Sequence, residues 1–241
     1  MRSQITPKAN IKFEWQREAL RLVSINAEKK LALELLEQQI RTELSGNDTV
    51  KRLLTYLKNI WISPSEESTP LRNKAIDIYQ GRDGHEAAQG LCYFMLIANY
   101  PFIKNITEIC GRLIRLQEEV KMEQIKRKAA DLYGESEHII RSTRYAVAIL
   151  MSIGILKNGS KKGLYAAGHI PSHSSISYNA FCLEAFLLST DAKPSMRKQA
   201  IDSHLSLFAF DSHHIVETAL QDLRFKVSRE SVSDELIELN L

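Results

Sequence analysis

Between residues 105 and 152 apolar side chains recur at helical spacing in three successive runs, and the pattern then changes to two short apolar pieces around Asn158-Gly159. A period near 3.6 followed by a turn signal restricts this stretch to three helices and a β-hairpin. The first helix, 105–117, places Ile106, Ile109, Cys110, Leu113 and Ile114 on one stripe. The second, 121–133, buries Met122, Ile125, Ala129 and Leu132 and ends at Gly134. The third starts between Ser136 and Ser142 and runs to Ser152. At about 100° per residue, Ile139, Ile140, Thr143, Val147, Leu150, Met151 and Gly154 share one side of it. His138, Arg141, Ser142, Tyr145, Ala148 and Ser152 fall opposite, with Arg144 on the flank; Ile149 also falls there, against the pattern.

The rest of the chain reads as helix too. Only 10 Gly and 6 Pro in 241 residues argue against a turn-rich β fold, and good helix formers fill most of the first 160 positions. Residues 12–62 predict two or three helices. Trp15, Ala19, Leu22 and Val23 form one stripe, and Leu31, Ala32, Leu35, Leu36, Ile40 and Leu44 another, closed by Gly46. A following helix over 49–60, capped by Asn47 or Asp48, buries Val50, Leu53, Leu54, Leu57 and Ile60 and exposes Lys51, Arg52, Thr55 and Lys58. The polar segment 63–70, bounded by two prolines, reads as a linker. A short helix over 71–79 and an apolar helix over 85–99 lead into the central region. Three regions follow: an N-terminal helical, helix-turn-helix-like unit over 1–62, central helices with a winged helix-turn-helix over 71–168, and a C-terminal helical region with an acidic tail over 169–241. Segments 31–60 and 121–156 are weakly alike, each a charged helix ending at glycine before a second helix. The expected class is mainly α, with tandem helix-turn-helix-like units, a winged hairpin and a helical C-terminal region.

Charge is uneven along this plan. Residues 1–100 carry fourteen Lys and Arg against twelve Asp and Glu, a net +2; residues 101–168 carry twelve against seven, a net +5; residues 169–241 carry six against ten, a net −4. The basic excess sits with the three helices and the hairpin, where Lys157, Lys161 and Lys162 surround the turn. Arg141, Ser142, Arg144 and Tyr145 on the third helix have the chemistry for phosphate and base-edge contact, and a helix N-terminus adds favourable partial charge. These seven residues, with Lys51 and Arg52 on the earlier helix, form the expected contact set for double-stranded DNA. The competing reading is a helical adaptor that binds protein partners through the same unit without nucleic acid.

Other chemistries find little support. Cys92, Cys110 and Cys182 are far apart and lie in apolar stretches, so they give no disulfide framework and no metal knuckle; a reducing compartment is expected. His169 and His173 are separated by Pro171, and the adjacent His213 and His214 would point to different helix faces, so no metal site is expected. Glu119-Val120-Lys121 has the form of a nuclease triplet, but such a triplet belongs on a strand and here joins two helices. No phosphate-binding loop, dinucleotide fingerprint or nucleophile elbow occurs. The reading is therefore of a protein that is not an enzyme and uses no cofactor. No apolar run is long enough for a membrane helix, and residues 1–10 lack a hydrophobic signal core, which points to the cytoplasm.

In the last third, 178–188 predicts a core helix, 196–203 a short helix, 205–210 and 215–223 a further helix pair, and 224–227 a strand. The alternating acidic and apolar tail, 228–241, reads as a peptide that docks on a partner or on the protein itself.

Three stretches, Thr49-Val50-Lys51-Arg52-Leu53-Leu54, Asn99-Tyr100-Pro101-Phe102-Ile103, and Ser142-Thr143-Arg144 through Leu150 to Gly154-Ile155-Leu156, together resemble the BrxA family of bacterial BREX phage-resistance systems over residues 15–168. The resemblance implies a non-enzymatic DNA-binding protein with helix-turn-helix modules, acting with other proteins of an antiviral defence complex. A homo-oligomer is a further expectation. The last third is longer than the family pattern.

Overall fold

A computed structural model describes residues 7–170, 175–190, 195–198, 200–201, 217, 221–231 and 234–240. The chain is mainly helical, and the helices follow the apolar spacing. α1 (Phe13–Ser24) buries Trp15, Ala19, Leu20 and Leu22; α2 (Lys29–Arg41) buries Ala32, Leu36 and Ile40; α3 (Asn47–Leu57) buries Val50, Leu53, Tyr56 and Leu57. Spacings of three and four put each set on one stripe, and the three helices pack on one another. α2 stops at Arg41, and Gly46 is the N-cap of α3, so neither Asn47 nor Asp48 takes that position. A π-helical turn, Lys58–Ile62, prolongs α3 and buries Ile60, Trp61 and Ile62.

α4 (Thr69–Gln80) carries Pro70 in its first turn, where a missing N–H costs little. α5 (Gly84–Asn99) is buried all round from Leu91 to Ala98. Helices α1, α4 and α6 (Pro101–Gln117) pack against it, as does α9 (Ile176–Leu188). α6 begins at Pro101, a turn before the expected Asn105, because a proline is well placed at a helix start. Gly90 on α5 is where α9 comes closest: a Cβ there would lie 1.7 Å from the Tyr178 hydroxyl oxygen. The expected core helix over 178–188 is thus present as α9, and Phe181, Leu183, Phe186 and Leu187 are buried on it.

Two small antiparallel sheets complete the chain. One has the order β1-β3-β2, from β1 (Glu119–Lys121), β2 (Leu156–Asn158) and β3 (Leu164–Ala167), and encloses α7 (Met122–Tyr133) and α8 (Glu137–Ile153) in the connectivity. The other has the order β4-β6-β5, from β4 (Ser195–Arg197), β5 (Phe225–Ser231) and β6 (Asp234–Leu239). This second sheet corrects the expectation of an all-helical C-terminal region, and of the two alternatives for the acidic tail it matches docking on the protein itself. Met196 lies in a strand and not at a helix start. The tail supplies the central strand β6, with Ile237 and Leu239 buried, because alternation with period two is the pattern of a half-buried strand. The strand expected over 224–227 starts at Phe225 and runs to Ser231. Buried Glu184 of α9 ties this region to the helices: it accepts two hydrogen bonds of 2.7 Å from Lys74 of α4 and pairs with Arg224, which also grips Asp222. The helix expected over 205–210 and most of that over 215–223 lie outside the described residues.

Buried side chains from Ala9 to Leu239 form one cluster. Cys92, Cys110 and Cys182 are free thiols within it. Burial pushes all three thiols up, Cys110 to about 12, so they are held in the less reactive protonated form. Among the described residues no helix is long and apolar enough to cross a membrane.

Candidate functional site

The site is built on α6, α7, α8 and the first sheet. α6 and α7 both pack on α8, and Asn105 of α6 hydrogen-bonds the Tyr133 hydroxyl at the end of α7. α7 ends at Gly134, and Ser136 caps α8 by accepting from the Ile139 N–H at 3.3 Å. α8 ends at Gly154, whose φ of 91° is a conformation that favours glycine, and the chain turns directly into β2.

The buried face of α8 is wider than a single amphipathic stripe. Ile139, Thr143, Val147 and Leu150 are buried as the spacing predicts. Ser142, Ala146, Ile149 and Ile153 form a second buried row. Ser142, 1% exposed, is therefore unavailable to an external ligand, which corrects its place in the expected contact set. The cause is packing on more than one side, since α7 and α6 flank the helix and its C-terminal half also meets α1 and α5. The same packing explains Ile149, which the two-face reading could not accommodate. Leu132 of α7, expected in the core, is 63% exposed.

What remains open on α8 is its N-terminal half. Arg141 and Arg144 are exposed and Tyr145 is half-buried. Glu135 and Glu137 are exposed at the very start of the helix. Together with the Ser136 cap they offset the favourable charge of the helix N-terminus, so an anion is better met one turn further in, at the arginines.

The hairpin forms as the turn signal predicts, but the chain reverses elsewhere. Asn158 pairs with Tyr165 inside the ladder, and the loop runs over 159–163. Gly163, at φ 85°, takes the left-handed position, and the Gly159 N–H closes the loop onto the Leu164 carbonyl at 2.8 Å. Lys157, Lys161 and Lys162 are exposed around it. β3 is the middle strand: Ala166 stands opposite both Glu119 and Lys157, and Tyr165 opposite Val120 and Asn158. Alternation then puts Glu119, Lys121 and Lys157 on one face and Val120 and Leu156 on the buried one.

Glu119 has a setting and a role that its sequence neighbours do not announce. Its triplet lies on a strand and does not simply join two helices. Its carboxylate accepts from the Ser160 hydroxyl at 2.7 Å and from the Ser160 N–H, holding the loop over β1. A Cβ on Gly159 would come within 3.0 Å of the same carboxylate. These bonds hold the Glu119 carboxyl below its ordinary value, and Lys161 adds to the effect. No acidic residue lies on β2 or β3, so the strand companion a nuclease triplet needs is missing from this sheet. The partnership spans 41 residues and has no local signature.

Among the described residues, Arg141, Arg144, Lys157, Lys161 and Lys162 form no ion pair within the chain. Lys104, Lys126 and Lys128 of the same region do, with Glu108, Glu123 and Asp131. Lys51 and Arg52 are exposed in the middle of α3, and Arg52 donates to the Lys8 carbonyl at 3.3 Å. α3 packs on α1 and α2, whereas α8 packs chiefly on α6 and α7. His169 is exposed, and His173, His204, His213 and His214 lie outside the described residues. Among the described residues no three His, Cys, Asp or Glu side chains gather as a metal ligand set.

Comparison with protein-family models, with curated proteins and with solved structures finds no match to this chain.

Proposed function

We propose that the chain binds duplex DNA, without catalysis, through a winged helix-turn-helix formed by α6, α7, α8 and the β1-β3-β2 sheet. In this reading α7 and α8 are the helix-turn-helix pair, α8 enters the major groove, and the β2–β3 loop is the wing. The observation that carries it is the set of five exposed cations on α8 and the wing that form no ion pair among the described residues. Unpaired surface cations on one module supply the electrostatic part of nucleic-acid affinity. Arg141 and Arg144 are placed for base edges or phosphates, Tyr145 for sugar or base contact, and Lys157, Lys161 and Lys162 for phosphates. The α2–α3 pair is a second helix-turn-helix-like unit, with Lys51 and Arg52 as a subsidiary contact.

The pattern shared with the BrxA family supports a place in a bacterial phage-defence complex, acting with other proteins in the cytoplasm. The test is fluorescence anisotropy of a labelled duplex against the full chain at several salt concentrations. Affinity is expected to fall steeply between about 50 and 200 mM salt. A chain that leaves the duplex unbound at the lower salt would favour the protein-adaptor reading.

A further inference from the structure

A cavity of about 300 Å³ lies between the α1–α2 corner, the end of the π-helical turn and the start of α4. Asn26, Lys29, Ser63, Thr69 and Arg72 line it, with Ile62 on one wall. None of the described lining residues is acidic. Arg21, Arg41 and Arg224 each grip a carboxylate, at Glu18, Glu37 and Asp222. The Arg72 Nε, by contrast, is buried with no hydrogen-bond partner, and among the described residues Arg72 makes no ion pair. Burial lowers its pKa, the sign of a cation that has lost water without gaining an anion.

We propose that this cavity binds a phosphate group carried on a small molecule, held by Arg72 and Lys29. An entering anion supplies the counter-charge that the Arg72 guanidinium lacks among the described residues, and charge-assisted bonds of this kind are the strong ones. The Asn26 amide and the Ser63 hydroxyl offer neutral donors, while the Thr69 hydroxyl is committed to the Ser65 carbonyl at 2.9 Å. The surroundings favour negative charge. Lys29 opens α2 and Thr69 opens α4, and neither N-cap, Glu28 or Ser68, makes a side-chain capping bond. The partial positive charge of both helix starts therefore adds to that of the two cations. The volume leaves room for a small organic group beside the phosphate, and the π-helical turn in the wall is a feature often found at functional sites.

The experiment titrates inorganic phosphate, and separately pyrophosphate, into the full chain at constant ionic strength, reading heat and melting temperature. Saturable binding with a rise in melting temperature is expected. Arg72→Gln should weaken it about tenfold or more, the equivalent of one charged hydrogen bond. Should that variant not fold, Lys29→Gln, which alters an exposed side chain, is expected to give a smaller loss of about threefold, or roughly 0.6 kcal/mol. No saturable binding by the wild type at millimolar probe, or equal binding by the variants, overturns the proposal. A duplex-DNA arm separates the two sources of phosphate. Unchanged duplex affinity in Arg72→Gln supports the small molecule, and a matching loss in both arms assigns the pocket to a nucleic-acid phosphate and overturns it. Because phosphate is titrated without DNA, failure here leaves the duplex-binding reading intact, and the reverse also holds.

Discussion

The α2–α3 pair and the α7–α8 pair share a plan, a charged helix followed after a short turn by a second helix that carries basic residues, yet they use their charges differently. Around α2 and α3 several cations are neutralised locally: Lys12 pairs with Glu43, Lys30 with Glu34 and Arg41 with Glu37, and Arg52 leans on a backbone carbonyl, while Lys29, Lys51 and Lys58 form no ion pair among the described residues. On α8 and the adjoining loop the cations form no ion pair among the described residues, and the acid beside them in the sheet, Glu119, is committed to Ser160. The first unit satisfies part of its charge within the chain, and the second gathers its uncommitted cations on one helix and the adjoining loop. A helix-turn-helix outline is thus compatible with either role, and the pairing of its surface charges separates the two.

The largest expected effect separates packing from contact on α8. Leu150→Ala should cost about 2–5 kcal/mol of folding stability through the cavity it leaves, read by denaturant unfolding, because Leu150 is fully buried. Arg141→Ala and Arg144→Ala should barely move the melting temperature. Each should cost about 1–3 kcal/mol of duplex affinity if it makes a bidentate base contact, and less if it meets only phosphate.

The wing comes next. Replacing Lys157, Lys161 and Lys162 with Ala should change stability by about 0.5 kcal/mol or less, as exposed substitutions do. Affinity should fall for every duplex sequence, and the salt slope should shrink by about 0.9 for each DNA phosphate that is no longer neutralised. Unchanged affinity in this triple variant would remove the wing from the interface.

Glu119 gives a smaller and pH-dependent effect. Its folded pKa is lowered, so its contribution is complete at neutral pH, above the unfolded value, and is lost as pH falls through the lowered folded value. The Ser160 amide resonance should therefore titrate with a midpoint below the ordinary glutamate value of about 4.3. Glu119→Ala should abolish that titration and loosen the loop. A midpoint at or above the ordinary value would dissolve the latch.

The sequence made some of this visible and hid the rest for physical reasons. Ile106, Ile125, Val147 and Leu150 could be placed because a helical stripe is local information. Ser142 could not, since a wheel divides a helix into two faces while α8 packs on α6 and α7 and also meets α1 and α5. The β1 strand is three residues long, and its partners are at Leu164–Ala167, so nothing near Glu119 announces it. The tail showed its period of two, but without the Phe225–Ser231 partner in view that alternation read as a docking peptide. Arg72 and Lys29 lie in separate helices, and only folding brings them to one cavity.

The most direct test of the difference between the two units is charge-matched. Arg141→Ala with Arg144→Ala removes two positive charges from α8, and Lys51→Ala with Arg52→Ala removes two from α3. Duplex affinity is measured across salt for both double variants, beside their melting curves. The predicted result is a loss of about tenfold or more for the α8 variant, equivalent to at least about 1.4 kcal/mol, a small loss for the α3 variant, and unchanged melting for both. Equal losses would show that binding follows net charge and not this site. An α8 variant that melts early while still binding DNA would show instead that the arginine face is packed against protein, contradicting its assignment to the groove.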